Sequence, residues 1–226
     1  MPLFKLTNEL IFPNPELALQ DGLLAVGGDL SMERLLLAYN NGIFPWFDAD
    51  SPILWWSPNP RMVLFPKKLK VSKSLWQVIR KKKFEVRVDE NFASVIKNCA
   101  SVSRADQPGT WITHEMMQAY INLHENGFAH SFETYFEGKL VGGLYGVSTG
   151  RVFFGESMFF TMSDASKVAL FYLTEKVKSW NFLVIDAQQD TPHIRRMGGK
   201  PIPRKEFLAL LDESSQYRTY KGKWNL

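Results

Sequence analysis

The stretch RVFFGESMFFTMSDASKVALFYLTEKVKSWNFLVIDAQ, residues 151–188, decides how the chain folds. Residues 151–156 follow the turn pair Thr149-Gly150 and have the composition of a strand. Ser163 then opens an amphipathic helix, with Ala165, Val168, Ala169, Leu173 and Val177 on its inner face. FLVID (182–186) closes the unit as a continuous apolar run, the pattern of a strand buried on both faces. Two strands of one sheet joined through a helix run parallel. Glu156 ends the first strand, and Asp186 and Gln188 end the second. Ligands of open α/β sheets sit beyond the carboxyl ends of such strands, so these three are the candidate catalytic residues at the mouth of one cleft. A carboxylate there can orient an amine or take its proton, and an amide can hold a carbonyl or amine in line. The alternative is that Glu156 and Asp186 only cap the helices that follow them.

Outward from this unit the order continues legibly. Strands are expected near 129–136 and 139–147, with Gly138 in the turn between them. Thr113 caps a helix that Gly127 ends, with Met117, Tyr120, Ile121 and His124 on one face. NFASVIKNCA is a helix with Asn91 as its cap, and FEVRV (84–88) alternates as a strand. A last helix begins near Pro203 and carries Phe207, Leu208 and Leu211. The sum is β-α-α-β-β-β-α-β-α. This order resembles the GNAT acyltransferase fold, an α+β arrangement whose mixed sheet splays open between its fourth and fifth strands, here 151–156 and 182–187. The GNAT-like reading implies acyl transfer. Coenzyme A enzymes of that fold carry a Gly-rich turn after the fourth strand, whose backbone N–H groups hold pyrophosphate. Here the position reads ESMFFTMSDASK, with no glycine after Gly155, which argues for another acyl carrier.

The first sixty residues are dense in Pro, Gly and Trp and contain one clear helix, about Ser31 to Asn40, stopped at Asn41-Gly42. They are expected to form a small N-terminal domain (1–61) ahead of the main domain (62–226). From Arg61 to Lys83 every charge is basic. The segment SKSLWQVIRKKK has helical spacing, and cations at a helix C-terminus are favoured by the macrodipole, which accounts for Arg80 to Lys83. It does not account for Lys67 to Lys73, and a polyanion-binding surface is the competing reading.

In composition the chain is 226 residues, 45% hydrophobic and 14% aromatic, enough for a sizeable core with rings to spare for a pocket. Trp111, Leu144, Tyr145, Phe153, Phe154, Leu170 and Phe171 surround the expected cleft in sequence, as core or as pocket lining. A single cysteine, Cys99, fits a reducing compartment. Four scattered histidines and no CxxC make a structural zinc site unexpected. No signal-peptide pattern and no apolar run near 20 residues point to a cytoplasmic protein without a membrane segment.

The strings DGLLAVGGDLS, LLLAYNNGIFPWF, PILWWSPNPR, GTWIT, HENGFAHS, LVGGLYG, FFGESMF, DASKVAL and IDAQ, in this order over about residues 20–210, closely resemble the leucyl/phenylalanyl-tRNA–protein transferase family. The resemblance implies transfer of Leu or Phe, and less readily Met, from aminoacyl-tRNA to proteins beginning with Arg or Lys, which marks them for degradation. It implies no metal or diffusible cofactor, and a monomer is the working expectation. By motif, Asp186 and Gln188 match the catalytic pair and Glu156 of GESMF the acidic position of the acceptor site. Trp46 of FPWF and Trp111 of GTWIT match the indoles that hold the tRNA's terminal adenosine. Leu144, Phe153 and Leu170 match the walls of the amino-acid pocket, and Lys73, Arg80 and Lys81 fall in the basic tRNA-binding region. On this resemblance Asp186 orients Gln188 and accepts charge near the amine, Gln188 meets the reacting groups, and Glu156 faces the acceptor's cationic side chain. The chain departs from the family's usual pattern at Phe160-Thr161, where a Ser-Arg pair is common, at Ala187, where Cys is frequent, and in HIRRMGGKPI, which puts the preference among Leu, Phe and Met in question.

Overall fold

The structure, a computed structural model, describes residues 3–102 and 111–226. A four-stranded sheet in the order β1-β2-β4-β3 is built from β1 (Phe4–Leu6), β2 (Leu23–Gly27), β3 (Phe44–Pro45) and β4 (Leu54–Trp56). Between β2 and β3 lies α1 (Met32–Asn40), whose cap Ser31 accepts from the Arg34 N–H. A seven-stranded sheet in the order β11-β5-β10-β9-β8-β7-β6 forms the body. Its strands are β5 (Arg61–Leu64), β6 (Glu85–Val88), β7 (Ala129–Phe136), β8 (Lys139–Thr149), β9 (Val152–Phe160), β10 (Val184–Gln188) and β11 (Lys200–Ile202). The helices of this part are α2 (Lys73–Arg80), α3 (Phe92–Ser101), α4 (His114–Glu125), α5 (Ala165–Ser179), α6 (Pro192–Arg196) and α7 (Arg204–Ser215). From β6 to β10 the order is the β-α-α-β-β-β-α-β expected, and α7 completes the α+β, GNAT-like arrangement.

In the seven-stranded sheet, whose other ladders are antiparallel, β9 and β10 are the parallel pair, as a helical crossover requires. Their ladder runs from Val152↔Val184 to Phe154↔Asp186 and stops, while β9 continues to Phe160. The sheet therefore opens just past Phe154 and Asp186. The two faces of the sheet differ in what covers them. Val63, Phe154 and Val184 join a core with α1, α3, α4 and the small sheet. Their neighbours Leu64, Phe153 and Ile185 join a second core with α5. This is the period-2 alternation of strands covered on both faces. α5 packs tightly on β8 because a Cβ at Gly142 would come 2.5 Å from the Ala165 Cβ.

Three details depart from the sequence reading. α4 turns Met116, Tyr120 and Leu123 into the core, one position off the expected face of Met117, Ile121 and His124. Tyr120 lies on both stripes, so periodicity alone left the choice open. β5 was hidden inside the basic run, because a strand of four residues carries little periodic signal. Asn91 stands at the α3 cap position, but its side chain makes no capping bond. Among the described residues, no helix is long and apolar enough to cross a membrane.

Candidate active site

Past the last parallel pair, β9 and β10 each skip a residue in register. Against β8, Gly155 and Ser157 have partners and Glu156 between them has none. Against β5, Asp186 and Gln188 have partners and Ala187 has none. Bulges of this kind re-aim side chains. Here they turn Glu156 and Gln188 towards each other, and Gln188 Nε2 donates to Glu156 Oε1 at 3.0 Å. Gln188 takes a left-handed backbone, φ +58°, uncommon for a residue with a side chain. Its backbone N–H is held by Asp186 Oδ1 at 2.9 Å.

Asp186 is fully buried and forms a two-point ion pair with Arg61: Nε to Oδ1 at 2.9 Å and Nη2 to Oδ2 at 2.7 Å. Arg61 lies between the rings of Phe44 and Phe207 and also donates to the Gly42 carbonyl. The sequence reading counted Arg61 with the basic stretch. It is 1% exposed, and serves the interior as the counter-ion of Asp186.

Glu156 receives two phenols that were not among the candidate residues of the sequence. Tyr39, from α1, donates to Oε1 at 2.8 Å, and Tyr120, from α4, bonds to Oε2 at 2.9 Å. The two phenol oxygens are themselves 2.5 Å apart. These three contacts close a ring of oxygens that needs three protons. Two phenols supply two, and the third must sit on Glu156. The geometry thus fits a carboxylic acid. Burial pushes the Glu156 carboxyl up to about 7, with the Asp186 charge adding to the rise and the phenols and Gln188 opposing it. Burial and the Glu156 charge together push both phenols well above their ordinary range. Oε1 thus accepts from Tyr39 and from Gln188, and Oε2 meets Tyr120. Glu156 anchors the Gln188 amide nitrogen, and Gln188 Oε1 is an acceptor without a bond among the described residues. Neither acid caps a helix: Asp164 stands at the start of α5, and Thr191 caps α6.

The remaining expected residues fall around this centre on different faces. Trp46 and Trp111 are half-buried against the core that holds Tyr39 and Tyr120. Trp46 meets Trp56 edge-on at 5.5 Å, and its carbonyl accepts the Trp56 indole N–H. Gly109 and Thr110 of the GTWIT motif lie outside the described residues. Leu144, Phe153 and Leu170 meet in the α5 core on the opposite face, each 3% exposed or less. Lys73, Arg80 and Lys81 are exposed along and just past α2, whose Leu75 packs into that same core. Among the described residues, no group of three or more His, Cys, Asp or Glu is placed to hold a metal ion.

A parallel pair that parts past Phe154 and Asp186, with an amide held between two acids at the opening, is the arrangement expected of the candidate site. Comparison with known proteins narrows this. Residues 63–212 match the model of the leucyl/phenylalanyl-tRNA protein transferase, and residues 28–59 match that of its N-terminal domain. The leucyl/phenylalanyl-tRNA–protein transferase of Syntrophobacter fumaroxidans is 55% identical over 99% of this chain and 96% of its own. That of Thermodesulfovibrio yellowstonii is 53% identical over 100% of this chain and 92% of its own. A solved aminoglycoside acetyltransferase from a soil metagenomic sample aligns at a TM-score of 0.36 with 11% identity, over 49% of this chain and 80% of that one. The chain belongs to the leucyl/phenylalanyl-tRNA–protein transferase family of aminoacyltransferases.

Proposed function

We propose that this aminoacyltransferase carries Leu or Phe, and less readily Met, from aminoacyl-tRNA to proteins whose N-terminal residue is Arg or Lys, marking them for degradation in the cytoplasm. The observation that carries the mechanism is the doubly held Gln188: Asp186 fixes its backbone, Glu156 fixes its amide nitrogen, and the carbonyl oxygen is left open. The reaction is a direct aminolysis. The acceptor's α-amine attacks the ester carbonyl, the C–N bond forms, and the C–O bond to the terminal ribose breaks. The ribose oxygen leaves with the proton the amine gives up. Gln188 Oε1 accepts an N–H of the attacking amine and holds it in line. The ester is already activated, so positioning supplies much of the gain. Asp186, neutralised by Arg61, acts through Gln188 and does not itself receive the proton.

Trp46 and Trp111 are assigned to the terminal adenosine, since aromatic rings read single-stranded ends by stacking. Leu144, Phe153 and Leu170 are assigned to the side-chain pocket, where an apolar wall suits Leu, Phe and Met better than the stiffer Val and Ile. Lys73, Arg80 and Lys81 are assigned to tRNA phosphates. The protein works as a monomer and without metal or cofactor in this reading. The test is direct: purified protein is mixed with Leu-tRNA or Phe-tRNA and a peptide beginning with Arg. Mass spectrometry should find Leu or Phe joined to the peptide's amino terminus. An unmodified peptide, with tRNA confirmed as charged, removes the proposal.

A further inference from the structure

The end of the sheet remote from Gln188 holds a cavity of about 790 Å³. Phe182 and Leu183, just before β10, line it, and so does Phe65, just after β5. β5 runs antiparallel to β10, so its Arg61 end lies by Asp186 and its Phe65 end by the cavity. At about 3.3 Å per residue, the run from Leu183 to Gln188 separates the cavity from the proposed active site by roughly 16 Å. Nothing in the aminoacyl-transfer reading uses it.

Its rim is cationic. Lys67, Lys68, Lys70 and Lys200 are exposed, and none has an ion-pair partner among the described residues. Lys178 adds a fifth ammonium, shared with Glu175 at 3.0 Å. Among the described residues no Asp or Glu lines the cavity. The loop bearing Lys67 to Lys70 is fixed in place. The Lys70 N–H donates to the Met197 carbonyl, and a Cβ on Gly198 would come 2.4 Å from the Lys68 carbonyl oxygen. The spacing of the ammonium groups is therefore preset at its backbone. The floor is apolar and aromatic, with Phe182 buried and Phe65 half-buried. Lys200 Nζ already covers Phe65 at 5.0 Å. Tyr217 is 46% exposed, and the Arg151 guanidinium sits over it at 5.3 Å. Another flat group can take the ring's free side.

We propose that this cavity binds a nucleotide, with its base against Tyr217 and its phosphate among Lys67, Lys68, Lys70 and Lys200. A volume near 790 Å³ lies within the range of small-molecule sites. Unpaired ammonium groups around an aromatic floor select a ligand that is anionic at one end and flat at the other. The nucleotide has two sources, a free nucleoside phosphate or one residue of an RNA strand. The inference stands apart from the transferase reading, because it concerns binding at a separate cavity.

Calorimetry on the full chain tests it, with ATP, a six-residue oligoadenylate RNA and inorganic tripolyphosphate as the three probes. Lys67→Ala/Lys68→Ala should weaken ATP or the RNA at least about tenfold, and a pair of exposed lysines elsewhere, Lys97→Ala/Lys139→Ala, should leave both unchanged. Tyr217→Ala should weaken ATP or the RNA by about fivefold or more, the lower end of a lost base stack, and leave tripolyphosphate unaffected. Thermal melts check that each variant is folded. ATP binding as tightly as the RNA assigns the free nucleotide. RNA binding far tighter than ATP, with a salt slope shallower by about 0.7 per lysine removed, assigns the strand. The proposal is overturned if neither ATP nor the RNA binds, if both lysine pairs weaken them equally, or if Tyr217→Ala changes neither.

Discussion

Replacing Glu156 by Gln isolates the proton that the oxygen ring requires. The Glu156 carboxyl has its folded value raised from 4.5 to about 7, with burial as the first cause. Below pH 4.5 the acid is protonated in both folded and unfolded chains and contributes no pH dependence. Between 4.5 and 7 the folded chain keeps the proton and the unfolded chain loses it, so stability falls as pH rises. Above about 7 both chains have lost it and the full loss persists. A displacement of about 2.5 pH units corresponds to about 3 kcal/mol. Glutamine has nearly the same shape, cannot ionise, and lets the Tyr120 hydroxyl rotate to accept from its amide. Urea unfolding of both proteins from pH 4 to 9 gives the difference, which subtracts the histidines and every other acid. Glu156→Gln should gain about 3 kcal/mol relative to the parent between pH 4.5 and 8. A difference that stays flat, or moves the opposite way, would refute the three-proton ring and leave Glu156 an ordinary carboxylate.

Three other expectations follow from the same geometry. Arg61→Met strands the buried Asp186 charge and should lower unfolding free energy at pH 7 by about 3–5 kcal/mol. Adding Asp186→Leu should restore much of that loss, and no recovery would mean that Arg61 acts through packing on Phe44 and Phe207 alone. Gln188→Asn keeps a residue at ease in the left-handed backbone but shortens the reach to Glu156. Single-turnover transfer should slow on the order of 10²-fold, while stability changes by only about 1 kcal/mol. A transfer rate within threefold of the parent would take Gln188 out of the chemistry. Replacing Lys73, Arg80 and Lys81 together by Ala should make the plot of log tRNA affinity against log salt shallower by up to about 0.9 per phosphate contact. An unaltered slope places the tRNA on another surface.

The parts of this fold that were legible in the sequence are the long periodic ones. β7, β8, α5 and the β9–α5–β10 crossover declare themselves through alternation, turn glycines and a five-residue inner stripe. The same signals placed Glu156, Asp186 and Gln188 near the parting of β9 and β10, although β9 runs on to Phe160, four residues past the end expected at Glu156. What periodicity could not carry was the shift of one residue at Glu156 and another at Ala187, because a bulge changes register without changing composition. Nor could it pair residues far apart in the chain. Arg61 reaches Asp186 across 125 positions, and Tyr39 reaches Glu156 across 117. Tyr39 and Tyr120 sit on the inner stripes of their helices, and a hydroxyl on an inner stripe needs a partner when buried. That requirement was the one local sign of the network. Arg61 gave a weaker one, as a cation inside the apolar run RMVL.

Two acids where neighbouring strands part, both removed from water, raise an electrostatic problem that the chain meets in two ways. Two anions at this spacing in a low dielectric repel strongly, and the Asp186 charge is itself one cause of the rise at Glu156. Arg61 supplies Asp186 with a matched counter-ion through two bonds. Glu156 has no cation, and its neighbours are phenols and an amide, which satisfy a neutral acid. The division has a consequence for catalysis. In the proposed reaction the incoming amine meets no cation to repel it, since the Arg61 guanidinium is taken up by Asp186. What it meets is an amide carbonyl whose backbone and nitrogen are tied down. α1, which carries Tyr39, therefore supports the proposed active site although it lies in the N-terminal part of the chain. Its core is continuous with that of the large sheet. Loss of that helix would free the Glu156 oxygens and loosen Gln188 before it reached any group that touches substrate.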